Sequence, residues 1–264
     1  MPAFERSGIA RYSRAPVRPQ APAEQGAKEP RLNPQTSRIL SRRLECVASH
    51  VPAGARLADI GSDHAYLPVA LMHRGLIAAA VAGELALTPF HAARRTVRDH
   101  GLEQRITVRQ ANGLAAIEAD DAITAISLCG MGGETIRDIL DSGKSRLNGR
   151  ECLVLQPNGG EPPLRQWLMD NGYRITAETV LRENRFDYEI IVAQPAGPVA
   201  YNTQELYFGP LLMQARSPAF VLKWQTRLRQ KHKVLGTLQK AQVVPQAQLQ
   251  TLQREVQWIS QVLA

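Results

Sequence analysis

Asp59 and Gly61 close a short apolar run in the segment ARLADIGSDHAYLP, residues 55–68, and a proline follows where a helix can begin. A strand that brings a carboxylate and bare glycine backbone to the carboxyl edge of a parallel sheet lets a charged, adenosine-containing ligand approach closely. Glu84 closes the next apolar run, residues 77–83, and lies 23 residues after Gly61. An acidic side chain there can accept both ribose hydroxyls. A strict G-x-G-x-x-G fingerprint would need glycine at 63 and 66, where this chain has Asp63 and Tyr66. Asp63 would repel a pyrophosphate but would neutralise an ammonium or sulfonium group, so S-adenosylmethionine suits the turn better than a dinucleotide. On these residues alone a methyltransferase, another nucleotide-binding α/β enzyme and a noncatalytic Rossmann-like domain all stay open.

Two further turns carry candidate chemistry. The run 122–128 ends in Cys129, Gly130, Met131, Gly132 and Gly133. Its three glycines could leave room for a flat base at an open strand end, or could form only a tight turn. The next run ends in Gln156, Pro157, Asn158, Gly159 and Gly160, so the amide of Asn158 could pair with a base edge while Pro157 stiffens the loop. Asn112, in the turn before these, is placed to hydrogen-bond a cofactor adenine. A thiolate at Cys129 could add to a pyrimidine. With no His or Lys nearby to lower its pKa, Cys129 reads instead as the buried end of a strand. His64, His73, His91, His100 and His232 have no ligand spacing, so no metal is expected.

The elements that must position these turns alternate along the chain. Apolar runs predict strands near 55–60, 77–83, 105–110, 122–128, 151–156, 173–181 and 187–193, separated by helical patterns, which is the signature of a doubly wound, mostly parallel α/β sheet. Residues 183–186 leave no room for a crossover helix, so the last two strands should form an antiparallel hairpin. Ile39, Leu40, Leu44, Val47 and Ala48 predict an amphipathic helix before the first strand, with Arg38, Arg42 and Arg43 facing solvent or phosphate. Thr88 before Pro89 predicts one helix start, and Pro162 with Pro163 another. Beyond Gly197 two amphipathic patterns, one through Phe220, Trp224 and Leu228 and one through Leu252, Val256 and Ile259, are separated by Pro245. They predict an antiparallel helical hairpin resembling a coiled coil.

The 264 residues suffice for a full α/β core with a smaller accessory unit. The formal charge of +8 is localised: residues 1–34 hold six bases and three acids, 35–204 hold 18 and 19, and 205–264 hold eight and two. Basic ends on a balanced core suggest a polyanion such as RNA or DNA, although a solvated face would have the same composition. On the C-terminal pattern Lys223, Arg227, Arg229, Lys231 and Lys233 would supply the positive face. The expected organisation is an arm over 1–34 with six prolines and no capacity for a core, a cofactor-binding catalytic domain over 35–198 and a basic helical domain over 199–264. Cys46, Cys129 and Cys152 lack C-x-x-C spacing, which points to a reducing cytoplasm, and no apolar run of about 18 residues predicts a membrane span. No obligate protein partner is evident.

The segments ILSRRLECVASHVP, LADIGSDHAYLP, AGELALTPF, GMGG, LVLQPN and DYEIIVA resemble the bacterial tRNA adenine-22 N1-methyltransferases over residues 38–264. The resemblance implies a class I Rossmann-like methyltransferase that uses S-adenosylmethionine to methylate N1 of adenine 22 in tRNA. By position it implies that Asp59, Gly61, Ser62, Asp63 and His64 lie in the cofactor loop, Glu84 at the ribose and Asn112 near the adenine. Gly130, Met131, Gly132, Gly133 and Asn158 would border the target base, with Gly130 shared with the cofactor. The family carries aspartate where Asn112 stands; an amide can still donate or accept at the adenine amino group. Tyr66 and Tyr188 are candidate stacking partners or core residues. A methyltransferase for another RNA base or a small metabolite, and a noncatalytic RNA-binding protein, are the alternatives.

Overall fold

A computed structural model of the chain describes residues 40–238 and 246–264. The arm over 1–34, the helix contacts of Arg38 and Ile39, and Pro245 lie outside the described residues. Strands β1 (Ala55–Ile60), β2 (Ile77–Glu84), β3 (Ile106–Gln110), β4 (Ala125–Met131), β5 (Cys152–Pro157), β6 (Tyr173–Glu183) and β7 (Phe186–Pro195) follow the apolar runs. Strand β4 starts three residues later than the run suggests, because a 3-10 turn over Ala119–Asp121 is closed by Ala122 in the left-handed region at φ 48°. Among the described residues these strands form one seven-stranded sheet in the order β3-β2-β1-β4-β5-β7-β6. The first five are parallel, whereas β7 runs antiparallel to both β5 and β6.

This order has a functional consequence. From β1 the chain winds outward to β2 and β3, then returns to lay β4 on the other side of β1. The loops at the carboxyl ends of β1 and β4 therefore diverge and open a crevice, the usual ligand position in an open α/β sheet. The two strands can occupy the centre because they are nearly continuous in buried aliphatics, including Leu57, Ala58, Ile126 and Leu128. Helices α1 (Arg42–His50), α2 (Tyr66–His73) and α3 (Leu87–Asp99) cover one face, and α4 (Gly133–Ser142) and α5 (Glu161–Asp170) the other.

Local chemistry sets the helix starts. Ser41 caps α1 by accepting the N–H of Leu44 at 3.2 Å, and Glu183 of the β6–β7 hairpin accepts the N–H groups of Arg42 and Arg43 at 2.9 and 3.1 Å. Helix α3 begins at Leu87 after an extended Ala86, not at Thr88 as expected, so Thr88 and Pro89 fall within its first turn. A proline is tolerated there because the first-turn N–H groups have no helical acceptor. Pro162 and Pro163 occupy the first turn of α5 as expected. The hairpin between β6 and β7 turns through Asn184 and Arg185 at φ 49° and 71°, the doubly left-handed geometry that matches strand twist.

The described residues fall in one compact unit, and the described helical residues beyond 198 belong to it. Two short helices, α6 (Thr203–Phe208) and α7 (Pro210–Ala215), precede α8 (Pro218–Leu238) and α9 (Gln246–Leu263). Phe208, Phe220 and Ile259 are completely buried in a cluster with Val180 of β6. Trp224 of α8 packs tilted and Trp258 of α9 edge-on against Tyr207, with ring centres 5.3 and 5.8 Å away, and Lys231 of α8 pairs with Glu255 of α9 at 2.6 Å. These pairings run in opposite sequence directions, so α8 and α9 are antiparallel.

One expectation about this segment is overturned. Lys223, expected on a basic RNA-facing surface, is only 4% exposed and its ammonium sits 2.5 Å from Glu189 and 3.2 Å from Glu161. Arg165 of α5 joins the same cluster, 2.5 Å from Glu189 and 2.8 Å from Glu178. Lys223 thus fastens α8 to the sheet. Burial of its aliphatic stem beside Phe220 and Trp224 turns the charge inward, where carboxylates from α5 and β7 meet it.

Candidate functional site

A cavity of about 450 Å³ opens at the carboxyl ends of β1, β2 and β4. The turn after β1 contributes Asp59, Gly61, Ser62 and Asp63, β2 contributes Glu84, β4 contributes Cys129, Gly130 and Met131, and the turn after β5 contributes Asn158. Arg43 of α1, Tyr66 of α2 and Tyr188 of β7 close it from above. Its size falls within the range of roughly 300–1,000 Å³ typical of small-molecule sites.

The β1 turn is built to expose backbone. Gly61, Asp63 and Ala65 all adopt left-handed φ, at 71°, 56° and 56°. The two non-glycine residues in that region carry local strain, which proteins retain mainly at ligand sites. Gly61 and Ser62 donate to the carbonyl of Gly83 at 2.9 and 3.3 Å, and the N–H of Asp63 donates to the Glu84 carboxylate. A Cβ on Gly61 would stand 3.1 Å from the Met131 methyl, so glycine keeps this wall thin.

Asp59 lies beneath the turn with both oxygens engaged, accepting the hydroxyls of Ser127 and Ser62, each at 2.6 Å. Burial pushes its carboxyl up, against those two hydrogen bonds and the Arg43 guanidinium. Burial also raises Glu84, opposed by the Asp63 N–H. Three carboxylates and one arginine line the cavity, so its field favours a cationic ligand. Cys129 is half-buried beside this acidic floor, and desolvation followed by the Asp59 charge pushes its thiol far up, which disfavours the nucleophilic thiolate.

Asn158 sits at the other end of the cavity. Its N–H donates to the carbonyl of Met131 at 2.7 Å, and its side-chain amide donates to the carbonyl of Gly130 at 2.8 Å while accepting from Gln156 at 3.0 Å. The amide is held by β4 and β5 together, and its outer edge faces the opening.

Several expected site residues lie elsewhere. His64 does not line the cavity; it stacks on Tyr66 with ring centres 5.0 Å apart and lies 3.5 Å from the Asp63 carboxylate. Asn112 is exposed before a 3-10 turn and is likewise off the lining. Gly132 caps α4. Gly133 is buried, and a Cβ there would stand 2.0 Å from the carbonyl oxygen of Gly160. Its missing side chain therefore seats the β5 turn; it does not clear space for a base. Arg43, expected to face solvent or phosphate, points into the cavity, its Nη1 2.5 Å from Gln156 and its guanidinium 5.6 Å from the centre of the Tyr188 ring. Arg42 is exposed beside the hairpin, its Nη1 donating to the Arg182 carbonyl at 3.5 Å.

The residues alone gave no role to Ser127 and Gln156, which the fold buries completely. Each interrupts a strand that is otherwise continuously apolar, and a polar side chain in such a run has to find a buried partner. That interruption was the available signal.

Gly133→Ala should lower the melting temperature by several degrees and shift the turn that carries Asn158, at a cost of about 1–3 kcal/mol or more for forced overpacking. Gly132→Ala is the control, since its Cβ would meet nothing nearer than Thr135 at 3.7 Å. Equal melts for the two variants would contradict the assignment.

A doubly wound sheet with an antiparallel edge hairpin and an acidic, glycine-turned pocket at its switch point defines a class I S-adenosylmethionine-dependent methyltransferase. The profile of the tRNA (adenine(22)-N(1))-methyltransferases matches residues 57–261, and the chain belongs to that family. It is 38% identical over 207 residues to the tRNA (adenine(22)-N(1))-methyltransferase of Bacillus subtilis, covering 76% of this chain and 87% of that one. The crystal structure of the B. subtilis M1A22 tRNA methyltransferase TrmK superposes with a TM-score of 0.80 at 35% identity, covering 86% of this chain and 99% of that chain. A Streptococcus pneumoniae protein solved in complex with S-adenosyl-L-methionine gives a TM-score of 0.79 at 43% identity, covering 86% of this chain and 100% of that chain.

Proposed function

We propose that this chain transfers the methyl group of S-adenosylmethionine to N1 of adenine 22 in tRNA, with the cofactor over the β1–β2 end of the cavity and the target base against Asn158. The observation that carries this reading is one cavity with two chemically different ends. An acidic floor with thin glycine walls lies at one end and an immobilised amide at the other.

The residues present fit the cofactor. Glu84 can accept ribose hydroxyls, the exposed backbone at Gly61 and Gly130 allows close approach, and Asp59 with Asp63 supplies negative field for the cationic half. When bound, the cofactor supplies an activated methyl group on a positively charged sulfur. Adenine N1 has an in-plane lone pair, so the protein needs no strong base; its part is to align the base and exclude water. Asn158 can accept a hydrogen bond from the adenine amino group, whose N–H becomes more acidic as positive charge reaches the ring. Position 22 lies within folded tRNA, so the base leaves its stack to enter the cavity, where Tyr66 and Tyr188 offer stacking faces. His64 supports Tyr66 from behind, and Asn112 serves the adenine end from outside the cavity wall.

Arg42, Arg227, Arg229, Lys231 and Lys233 are the candidate phosphate contacts, with Lys231 sharing its charge with Glu255. The helical segment from 199 onward acts as the tRNA-gripping part, and the enzyme works in the cytoplasm, where its substrate is. Among the described residues no helix is long and apolar enough to cross a membrane, and no cluster of three His, Cys, Asp or Glu could hold a metal ion.

The direct test is mass spectrometry of nucleosides from unmodified tRNA incubated with protein and S-adenosylmethionine. N1-methyladenosine that disappears when adenine 22 is replaced supports both chemistry and position; a different methylated nucleoside overturns the specificity. Glu84→Ala should weaken S-adenosylmethionine binding about 10- to 150-fold, the loss of a charged hydrogen bond worth roughly 1.5–3 kcal/mol. Calorimetric titration checks this, and unchanged affinity would remove Glu84 from the ribose.

A further inference from the structure

We infer that Arg43 is a positioning residue for methyl transfer, acting through the buried amide of Gln156 to hold Asn158 in the orientation that meets the adenine. The inference rests on the reading of this cavity as the transfer site.

Gln156 is completely buried at the end of β5, and its hydrogen-bonding capacity is filled. Its Oε1 accepts from Arg43 Nη1 at 2.5 Å and from the N–H of Gly130 at 3.0 Å. Its Nε2 donates to the carbonyl of Pro157 at 2.9 Å and to Asn158 Oδ1 at 3.0 Å. Two donors on one side and two acceptors on the other allow one orientation of the amide. Turning it over would set the NH₂ group against a guanidinium and a backbone N–H, and the oxygen against two oxygens.

The orientation of Asn158 follows from that of Gln156. With Oδ1 turned to Gln156, Nδ2 turns to the carbonyl of Gly130, 2.8 Å away. What Asn158 then presents outward is one lone pair on Oδ1 and one N–H on Nδ2, in a fixed order. That order decides whether the adenine amino group meets an acceptor or a donor. Without Arg43, the charged donor is lost and only the Gly130 N–H and the Pro157 carbonyl discriminate between the two states of Gln156.

Arg43 is itself held for this role. Its N–H donates to Glu183 at 3.1 Å, its guanidinium stacks over Tyr188, and it is half-buried. It is the one cation on the cavity lining among the described residues. A phosphate-binding arginine would instead be expected to project freely and to contribute to salt-dependent affinity.

The two roles separate kinetically. N1-methyladenosine formation would be measured at saturating cofactor and varied tRNA for wild type, Arg43→Ala, Gln156→Glu, Asn158→Ala and the Arg43→Ala/Asn158→Ala double variant, with calorimetric cofactor affinity for each. The expected result is a roughly 10- to 100-fold fall in kcat for Arg43→Ala, with KM for tRNA, its salt dependence and cofactor affinity within about threefold of wild type. Gln156→Glu keeps an acceptor for Arg43 but loses the donor to Asn158, so it should reproduce the kcat loss and stands as the independent variant should Arg43→Ala misfold. In the double variant Arg43→Ala should add nothing to Asn158→Ala. A raised KM and shallower salt dependence with kcat intact, losses that multiply in the double variant, or Gln156→Glu at wild-type kcat would overturn the inference. A wild-type protein that binds cofactor but methylates no tRNA would overturn the functional reading, and the inference with it.

Discussion

Asn158→Ala is expected to lower kcat on the order of 100-fold while leaving S-adenosylmethionine affinity unchanged. The amide lines the same cavity at the β5 turn, away from the Asp59 and Glu84 floor, so removing it should leave the proposed cofactor contacts intact. On the proposed reading its lone pair would meet the adenine amino group in both ground and transition states, but that N–H would be most acidic when the ring has gained charge. An interaction that strengthens along the reaction appears in kcat rather than in KM. Preorganised groups of this kind are worth about 2.7–4 kcal/mol where measured by deletion. The asparagine is preorganised by three hydrogen bonds to β4 and Gln156. Single-turnover rates with saturating cofactor measure the step directly; a variant with normal single-turnover rate would place the base elsewhere.

Glu189→Ala is expected to destabilise the fold by about 3–5 kcal/mol, the usual consequence of stripping a counter-ion from buried charges. Arg165 and Lys223 each lie 2.5 Å from this carboxylate, and Glu189 and Arg165 are at most 1% exposed. Removal leaves Glu161 as the remaining carboxylate on Lys223 and Glu178 as that on Arg165. For a chain of this size the loss corresponds to a fall of roughly 6–20 °C in melting temperature. Tyr188 precedes Glu189 on β7 and lines the cavity, so the change should also loosen the site.

The pH dependence of the Glu189–Lys223 pair has a definite sign, whereas burial raises the neighbouring Glu178 carboxyl. Burial alone would raise the Glu189 carboxyl, but Lys223 and Arg165 beside it hold it below the usual carboxylate range. Burial alone would lower Lys223, but Glu189 and Glu161 hold it above its usual value. The depressed acid contributes stability above its unfolded pKa of about 4.3, lost as pH falls through the folded value. The raised base contributes fully below about 10.4, and that is lost as pH climbs through its folded value. The stability gap between wild type and Glu189→Gln should therefore stay level from about pH 5 to 10 and shrink in acid. A gap that opened or closed near neutrality would contradict the assignment.

The frame of the fold was legible in the residues alone. Seven apolar runs became seven strands: β1, β2, β4 and β5 are nearly continuous in small and aliphatic residues, as parallel strands covered on both faces are, whereas β3, β6 and β7 interleave polar residues. The same logic brought Asp59, Gly61, Glu84 and Asn158 to one edge, since parallel strands with crossover helices place those ends together. The direction and company of the long side chains were set by packing between distant elements. Arg43 and Lys223 stand in helical patterns whose charged residues read equally as solvated. In the fold, one reaches over Tyr188 to a buried glutamine and the other is drawn beneath α8 by two carboxylates far away in sequence. Gly133 likewise read as space for a base, when it clears space for the Gly160 backbone. The short helices α6 and α7, six residues each, carried too little periodicity to be seen. Periodicity reports burial along one element, whereas an ion pair or a close backbone approach is set by a second element brought alongside, and that partner is chosen by the packing of the whole sheet.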